Sequence, residues 1–156
     1  MAALYAVPVE GPGALVLMAC PQPDDFDALR EAGVTHVVSL LPEDQAVALG
    51  MAEEAVFCAG AGLRFRNFPI ADFGVPERDA FAVLVEEICG WLAQGAQVAV
   101  HCRAGIGRSG TLAACVKVAQ GMEPAEAMAV VSAARGVAIP ETAAQRDFVT
   151  QFQQAN

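Results

Sequence analysis

The chain alternates short apolar runs with stretches of helical spacing, and that alternation predicts most of its elements. Leu4 to Val9 and Ala14 to Met18 have strand character and are split by Gly11-Pro12-Gly13, as in a hairpin at a sheet edge. Pro21, Pro23 and Asp24 introduce a short helix bearing Phe26, Leu29 and Arg30, with Gly33 as its stop. Thr35 to Leu41 reads as a strand near the sheet centre. His36 within it reads as structural. Glu43 to Leu49 and Met51 to Ala59 form one helical region interrupted at Gly50 and ended by Gly60 and Gly62. Leu63 to Phe68 alternates, with Leu63, Phe65 and Asn67 on one face and Arg64, Arg66 and Phe68 on the other. The two arginines fit a solvated face or the border of a cleft. Ile70 to Pro76 is a loop, and Phe81, Leu84, Val85, Ile88 and Leu92 mark a helix ending before Gly95.

The stretch from Ala96 to Thr111 reads as strand, loop and helix. Val98, Ala99 and Val100 form a buried-type strand. Gly105 and Gly107 loosen the backbone after it. Ser109 opens a helix with Leu112, Cys115, Val116 and Ala119 along one face. A further helix starts near Glu123 with Pro124 in its first turn, and a last one near Glu141. Strands alternating with helices predict an α/β fold with a mostly parallel central sheet flanked by helices. No repeat or linker interrupts it, so residues 1–156 read as a single domain. The active site is expected at the carboxyl ends of the strands.

Composition narrows the function classes. The net charge is −9, which opposes nucleic acid or an anionic membrane as the main partner. No apolar run approaches the ~20 residues that span a bilayer. The start Met-Ala-Ala-Leu-Tyr lacks the basic character of a secretory signal, so a cytoplasmic location is expected. Five cysteines without framework spacing read as reduced thiols. Cys89 and Cys115 are expected in the core, and Cys20 and Cys58 carry no readable role. With two histidines and no zinc-ligand spacing, no metal is expected. No cofactor and no oligomeric state follow from these features.

The loop after Val100 carries the chemistry. Successive N–H groups ahead of a helix form a nest for an anion. Residues Arg103, Ala104, Gly105, Ile106, Gly107 and Arg108 are the candidate phosphate cradle, and the guanidinium of Arg108 suits two oxygens of one phosphate. The same positive field acts on Cys102. A cysteine at a helix N-terminus beside cations has its pKa lowered from about 8.5 to roughly 3.5–7.5, which makes it a nucleophile at neutral pH.

His101-Cys102, five residues, then Arg108-Ser109, resembles the signature loop of the cysteine-dependent protein tyrosine phosphatases, nearest to the compact dual-specificity branch. The resemblance spans roughly residues 33 to 150. It implies that Cys102 attacks phosphorus and forms a phosphocysteine, and that Arg108 clamps the phosphate. It also implies that His101 holds the loop and favours the ionised thiol, while Ser109 helps the thiolate leave. Asp72, in Ala71-Asp-Phe-Gly-Val-Pro76, resembles the family's general acid. Ala71 stands where relatives often have proline. Glu77 and Asp79 read instead as the start of the next helix. Gln145 shares a helical face with Phe148, Val149 and Phe152. It fits either the water-positioning glutamine of some branches or a buried structural amide. Arg135 reads as a helix C-terminal cation.

The expected reaction is phosphomonoester hydrolysis, acting on phosphotyrosine or with dual specificity on a phosphorylated protein or peptide. A phosphoinositide or small phosphorylated metabolite is the alternative. It is weakened because residues 104–107 are Ala, Gly, Ile and Gly, without the lysines of lipid-acting relatives. A sulfur-transfer enzyme would leave Asp72 and Ser109 without a purpose. A phosphate-binding module without turnover would not need Cys102, Arg108 and Asp72 together.

Overall fold

A computed structural model describes residues 3–154. Among the described residues five strands form one sheet: β1 (Tyr5–Val7), β2 (Ala14–Met18), β3 (His36–Ser39), β4 (Arg64–Asn67) and β5 (Gln97–His101). Their spatial order is β1-β2-β5-β3-β4. β1 runs antiparallel to β2 as an edge hairpin, and the other pairings are parallel. β5 lies at the centre, with Met18 and Ser39 both in register with His101. Three strands therefore deliver their carboxyl ends to one place, where Cys102 follows.

Seven α-helices among the described residues cover the two faces: α1 (Phe26–Glu31), α2 (Glu43–Ala48), α3 (Glu54–Ala61), α4 (Arg78–Ala93), α5 (Gly107–Ala119), α6 (Pro124–Arg135) and α7 (Ala143–Gln154). The larger core packs β2, β5 and β3 against α4 to α7 through Leu17, Val100, Phe81, Leu84, Leu112 and Val149. The smaller one lies on the other face and joins Phe26, Leu29, Met51, Cys58 and Leu63 to Val37 and Ala99. Burying such side chains is worth about 1.5–3 kcal/mol each, which offsets the ordering of the chain.

Three expectations change. The helix of the signature segment begins at Gly107, so Ser109 lies inside its first turn. That helix is also buried from Gly107 to Val118, not along one face. α4, α6, α7 and the sheet enclose it, and Gly110 lets Ile139 pack where a Cβ would stand. Enclosure removes the amphipathic pattern that marks a surface helix. Between α2 and α3, Gly50 takes a positive φ of 77°, and Gly62 closes α3 in the left-handed region at the same angle. Gly60 lies inside α3 and does not end it.

Candidate active site

The signature loop is held from three sides. From β2, the Cys20 N–H donates to the Arg103 carbonyl at 2.9 Å. From the end of α6, Arg135 donates Nε to the Gly105 carbonyl and Nη2 to the Ala104 carbonyl, each at 3.1 Å. The Arg135 guanidinium lies 3.9 Å over the Tyr5 ring, a cation–π contact that ties it to the edge hairpin. From below, His101 is fully buried and places Nδ1 3.1 Å from the Cys102 carbonyl and Nε2 2.6 Å from Glu54 Oε2. With the loop carbonyls engaged in this way, the N–H groups of residues 104–108 keep no protein acceptor among the described residues. Unpaired N–H groups ahead of a helix can receive an anion.

Gly105 makes the loop possible. Its φ is +73°, and a Cβ there would overlap the backbone carbonyl of Met18. Cys102 lies at the floor with 3% exposure. Ser109, seven residues on, donates its hydroxyl to Cys102 Sγ at 3.1 Å. The contact follows from α5 starting at Gly107, because the first turn carries Ser109 back above the strand end. Arg103 is exposed at the loop's outer edge.

Arg108 is 2% exposed and its donors are shared among three residues, one on α2 and two in the Ile70–Pro76 loop. Nη1 donates to the Ile70 carbonyl and to Gln45 Oε1, each at 2.8 Å. Nη2 faces Asp72 Oδ1 at 3.2 Å. The sequence-assigned clamp and acid are therefore adjacent. The Gln45 amide joins them, its Nε2 standing 3.5 Å from Asp72 Oδ2. Asp72 also caps its own turn by accepting from the Phe73 N–H at 3.0 Å. Phe73 sits at φ 60°, an angle rare for a non-glycine residue, and its ring is exposed. Glu77 caps α4 by accepting from the Ala80 N–H at 3.1 Å, as expected of a helix start.

Gln145 is fully buried on α7. Its Nε2 donates to the Gly74 carbonyl of the acid loop at 3.3 Å, and its Oε1 accepts from the Thr142 N–H at 3.2 Å. It also packs against the Gly107 backbone. Phe148, on the same face, meets Phe81 at 5.4 Å between ring centroids and docks the helix. The amide thus spans the acid loop and the start of α5. The expected structural role of His36 agrees with its stack on Trp91 at 4.5 Å, at the opposite end of the strand. Burial, with Arg64 beside it, lowers its pKa. Arg66 pairs with Glu87 on α4 at 3.2 Å, so that arginine braces the sheet and does not border the cleft.

Gln45, Glu54 and Arg135 belong to the site, and the first two were not singled out from the sequence. Glu54 did carry a signal: it falls between Met51 and Cys58 on the buried face of a helix, where a carboxylate needs a partner. Arg135, read as a helix-terminal cation, is one, and it braces the loop as well. Gln45 sits on a partly exposed turn of helix and left no signal. Cys20 is pushed up to about 12 by burial, with the charges of Glu54 and Cys102 adding to it, and Cys58 to about 12 by burial and Glu54.

The chain was compared with known proteins. The family model for Swiss Army Knife protein, DSP-PTPase phosphatase domain, matches residues 9–154. Protein tyrosine phosphatase domain-containing protein 1 of Mus musculus is 40% identical over 95 residues, which is 60% of this chain and 12% of that protein. The Bos taurus counterpart is 38% identical over the same length and share. The chain thus spans a small part of these relatives. Among solved structures, kinase associated phosphatase with its catalytic cysteine replaced by serine superposes with a TM-score of 0.93 at 20% identity, covering 99% of this chain and 95% of that one. PTPMT1 in complex with PI(5)P gives 0.80 at 23% identity, covering 90% of each chain. These two likenesses concern the fold.

Proposed function

The chain belongs to the DSP-PTPase phosphatase domain family of the Swiss Army Knife proteins and is a cysteine-dependent phosphatase; from that premise we propose that it hydrolyses phosphotyrosine, with phosphoserine or phosphothreonine as further substrates, in cytoplasmic proteins. The observation that carries the mechanism is the contact of Ser109 Oγ with Cys102 Sγ at 3.1 Å, inside a loop whose N–H groups at 104–108 have no protein acceptor among the described residues.

The phosphate enters the nest and takes over the Arg108 Nη2 contact that Asp72 otherwise holds. The Cys102 thiolate attacks phosphorus. The S–P bond forms, the P–O ester bond breaks, and Asp72 delivers its proton to the leaving oxygen. Water then attacks phosphorus and gives its proton to the Asp72 carboxylate. The S–P electron pair returns to Sγ, where the Ser109 hydroxyl stabilises it. Gln145 lies between the acid loop and α5, where it can orient that water. His101, fixed by Glu54, holds the Cys102 carbonyl and with it the loop.

A phosphorylated protein is favoured by the rim. Phe73 and Val75, on either side of Gly74 in the acid loop, are 60% and 45% exposed and offer apolar surface to an aryl leaving group. The loop itself offers a second phosphate only Arg103. The pure protein should be assayed against phosphopeptides, phosphoinositides and sugar phosphates, with Cys102→Ser as control. Phosphotyrosyl peptides are expected to give the highest kcat/KM, and Cys102→Ser is expected to abolish turnover while retaining phosphate. A phosphoinositide or sugar phosphate preferred over every peptide would overturn the protein reading and leave the mechanism standing.

A further inference from the structure

β5 ends in His101, whose fully buried ring meets α3. Its partner there is Glu54, in the first turn of α3 and 3% exposed. His101 Nε2 lies 2.6 Å from Glu54 Oε2, and Nδ1 lies 3.1 Å from the Cys102 carbonyl. Both ring nitrogens therefore face oxygen. A carbonyl only accepts, so Nδ1 carries a hydrogen. The 2.6 Å contact needs a second hydrogen between nitrogen and carboxylate, and a neutral imidazole has only one to give. The pair thus holds one proton more than a neutral ring beside a carboxylate, and that proton sits on Nε2 or on Oε2.

Three features favour the nitrogen. An imidazole is ordinarily the stronger base, titrating at about 6.5 against about 4.3 for a glutamate. The start of a helix favours negative charge on Glu54. The other Glu54 oxygen is open to water in the cleft that Glu43 and Asn67 also line, so the carboxylate keeps part of its hydration. The remaining titratable groups around the pair are Cys102, Cys20 beyond β2, Cys58 on α3 and, across the cleft, Glu43. Burial, with the charges of Glu54 and Cys102 adding to it, pushes Cys20 up to about 12, and burial with Glu54 does the same to Cys58, so neither thiol is charged at neutral pH. We propose that Glu54 is a positioning residue of the phosphatase: its carboxylate keeps a proton on His101 Nε2, so that Nδ1–H stays committed to the Cys102 carbonyl and positive charge stays beneath the nucleophile. A neutral ring can carry its one hydrogen on either nitrogen. In one of those two forms a lone pair would face the Cys102 carbonyl, and the loop would lose its hold from below. The inference rests on the phosphocysteine mechanism and names the residue that fixes the histidine's part in it.

Nitrogen-15 spectra of the full chain with labelled histidine, at pH 7.5, count the hydrogens on each ring. His36, the other of the two histidines, is the internal reference. Burial, with Arg64 beside it, lowers its pKa, so its ring should carry a single hydrogen. His101 is expected to carry two in wild type and one in Glu54→Gln, which keeps the shape and an acceptor but not the charge. In Glu54→Gln, kcat/KM on an aryl phosphate should fall at least tenfold with far-UV circular dichroism unchanged. A single ring hydrogen on wild-type His101 overturns the proposal, whether or not Glu54→Gln folds. Two ring hydrogens on His101 in Glu54→Gln also overturn it, as does a kcat/KM within twofold of wild type. A wild type without turnover would strike the phosphatase reading instead, and the ring spectra would still decide where the proton sits.

Discussion

At the residue scale the site divides into groups adjacent in sequence and groups brought in from afar. His101, Cys102, Arg108 and Ser109 lie within one turn-and-helix segment, so their types and spacing could be read together. Asp72 was readable because it sits in a glycine- and proline-bearing turn. Gln45 and Glu54 reach the same cluster from 63 and 47 residues away, and only folding brings them there. The Ser109 contact gives a specific expectation. In the proposed mechanism its hydroxyl meets a sulfur that leaves phosphorus as a thiolate in the second step, and a hydrogen bond to a charged group is worth about 1.5–3 kcal/mol. Ser109→Ala should therefore slow phosphoenzyme hydrolysis by roughly 10- to 100-fold while formation of the intermediate changes less. Rapid-quench measurements should show the phosphoenzyme accumulating. Equal slowing of both steps would assign Ser109 to the geometry of the loop.

At the element scale, periodicity located the strands and helices but misjudged what surrounds them. β2 was legible to the residue, because its apolar run has turn residues on one side and a Cys-Pro break on the other. α5 was misread as one-faced, since apolar and small residues all round a helix only make sense once its neighbours are known. Its start was placed late because Ser109 resembles an N-cap, whereas Ile106 occupies that position without a side-chain cap. The loop ahead of it depends on Gly105 for two independent reasons. A side chain at φ +73° is strained, and its Cβ would strike the Met18 carbonyl, which is backbone and cannot swing aside. Gly105→Ala should displace the loop amides from their common focus. The expected result is at least a 100-fold loss in kcat/KM and a comparable loss of inorganic phosphate binding, with far-UV circular dichroism unchanged. Near-normal phosphate affinity in the variant would show that the cradle tolerates the shift.

At the scale of the whole molecule, a chain of net charge −9 gathers Arg108, a helix start and loop amides without a protein acceptor among the described residues in one place. The same acidic, thiol-bearing interior sets how the fold responds to alkali. Cys58 and Cys115 are fully buried. Burial, with Glu54 adding to it, pushes Cys58 up to about 12, and burial alone pushes Cys115 well above the ordinary thiol range. An unfolded thiol titrates at about 8.5. Between that value and the folded pKa, the folded chain keeps protons that the unfolded chain has lost. Stability must then fall as pH rises through this window, by at most about 1.4 kcal/mol per pH unit for each such thiol. Below pH 8 the two states hold the same thiol protons and the effect vanishes. Urea midpoints at pH 7.5, 9 and 10.5 should decline for wild type. The decline should become shallower in Cys58→Ala and Cys115→Ala, and shallower again in the double variant, even where each substitution lowers stability at pH 7.5 by leaving a small cavity. Parallel declines in all four proteins would place the alkaline sensitivity in other groups.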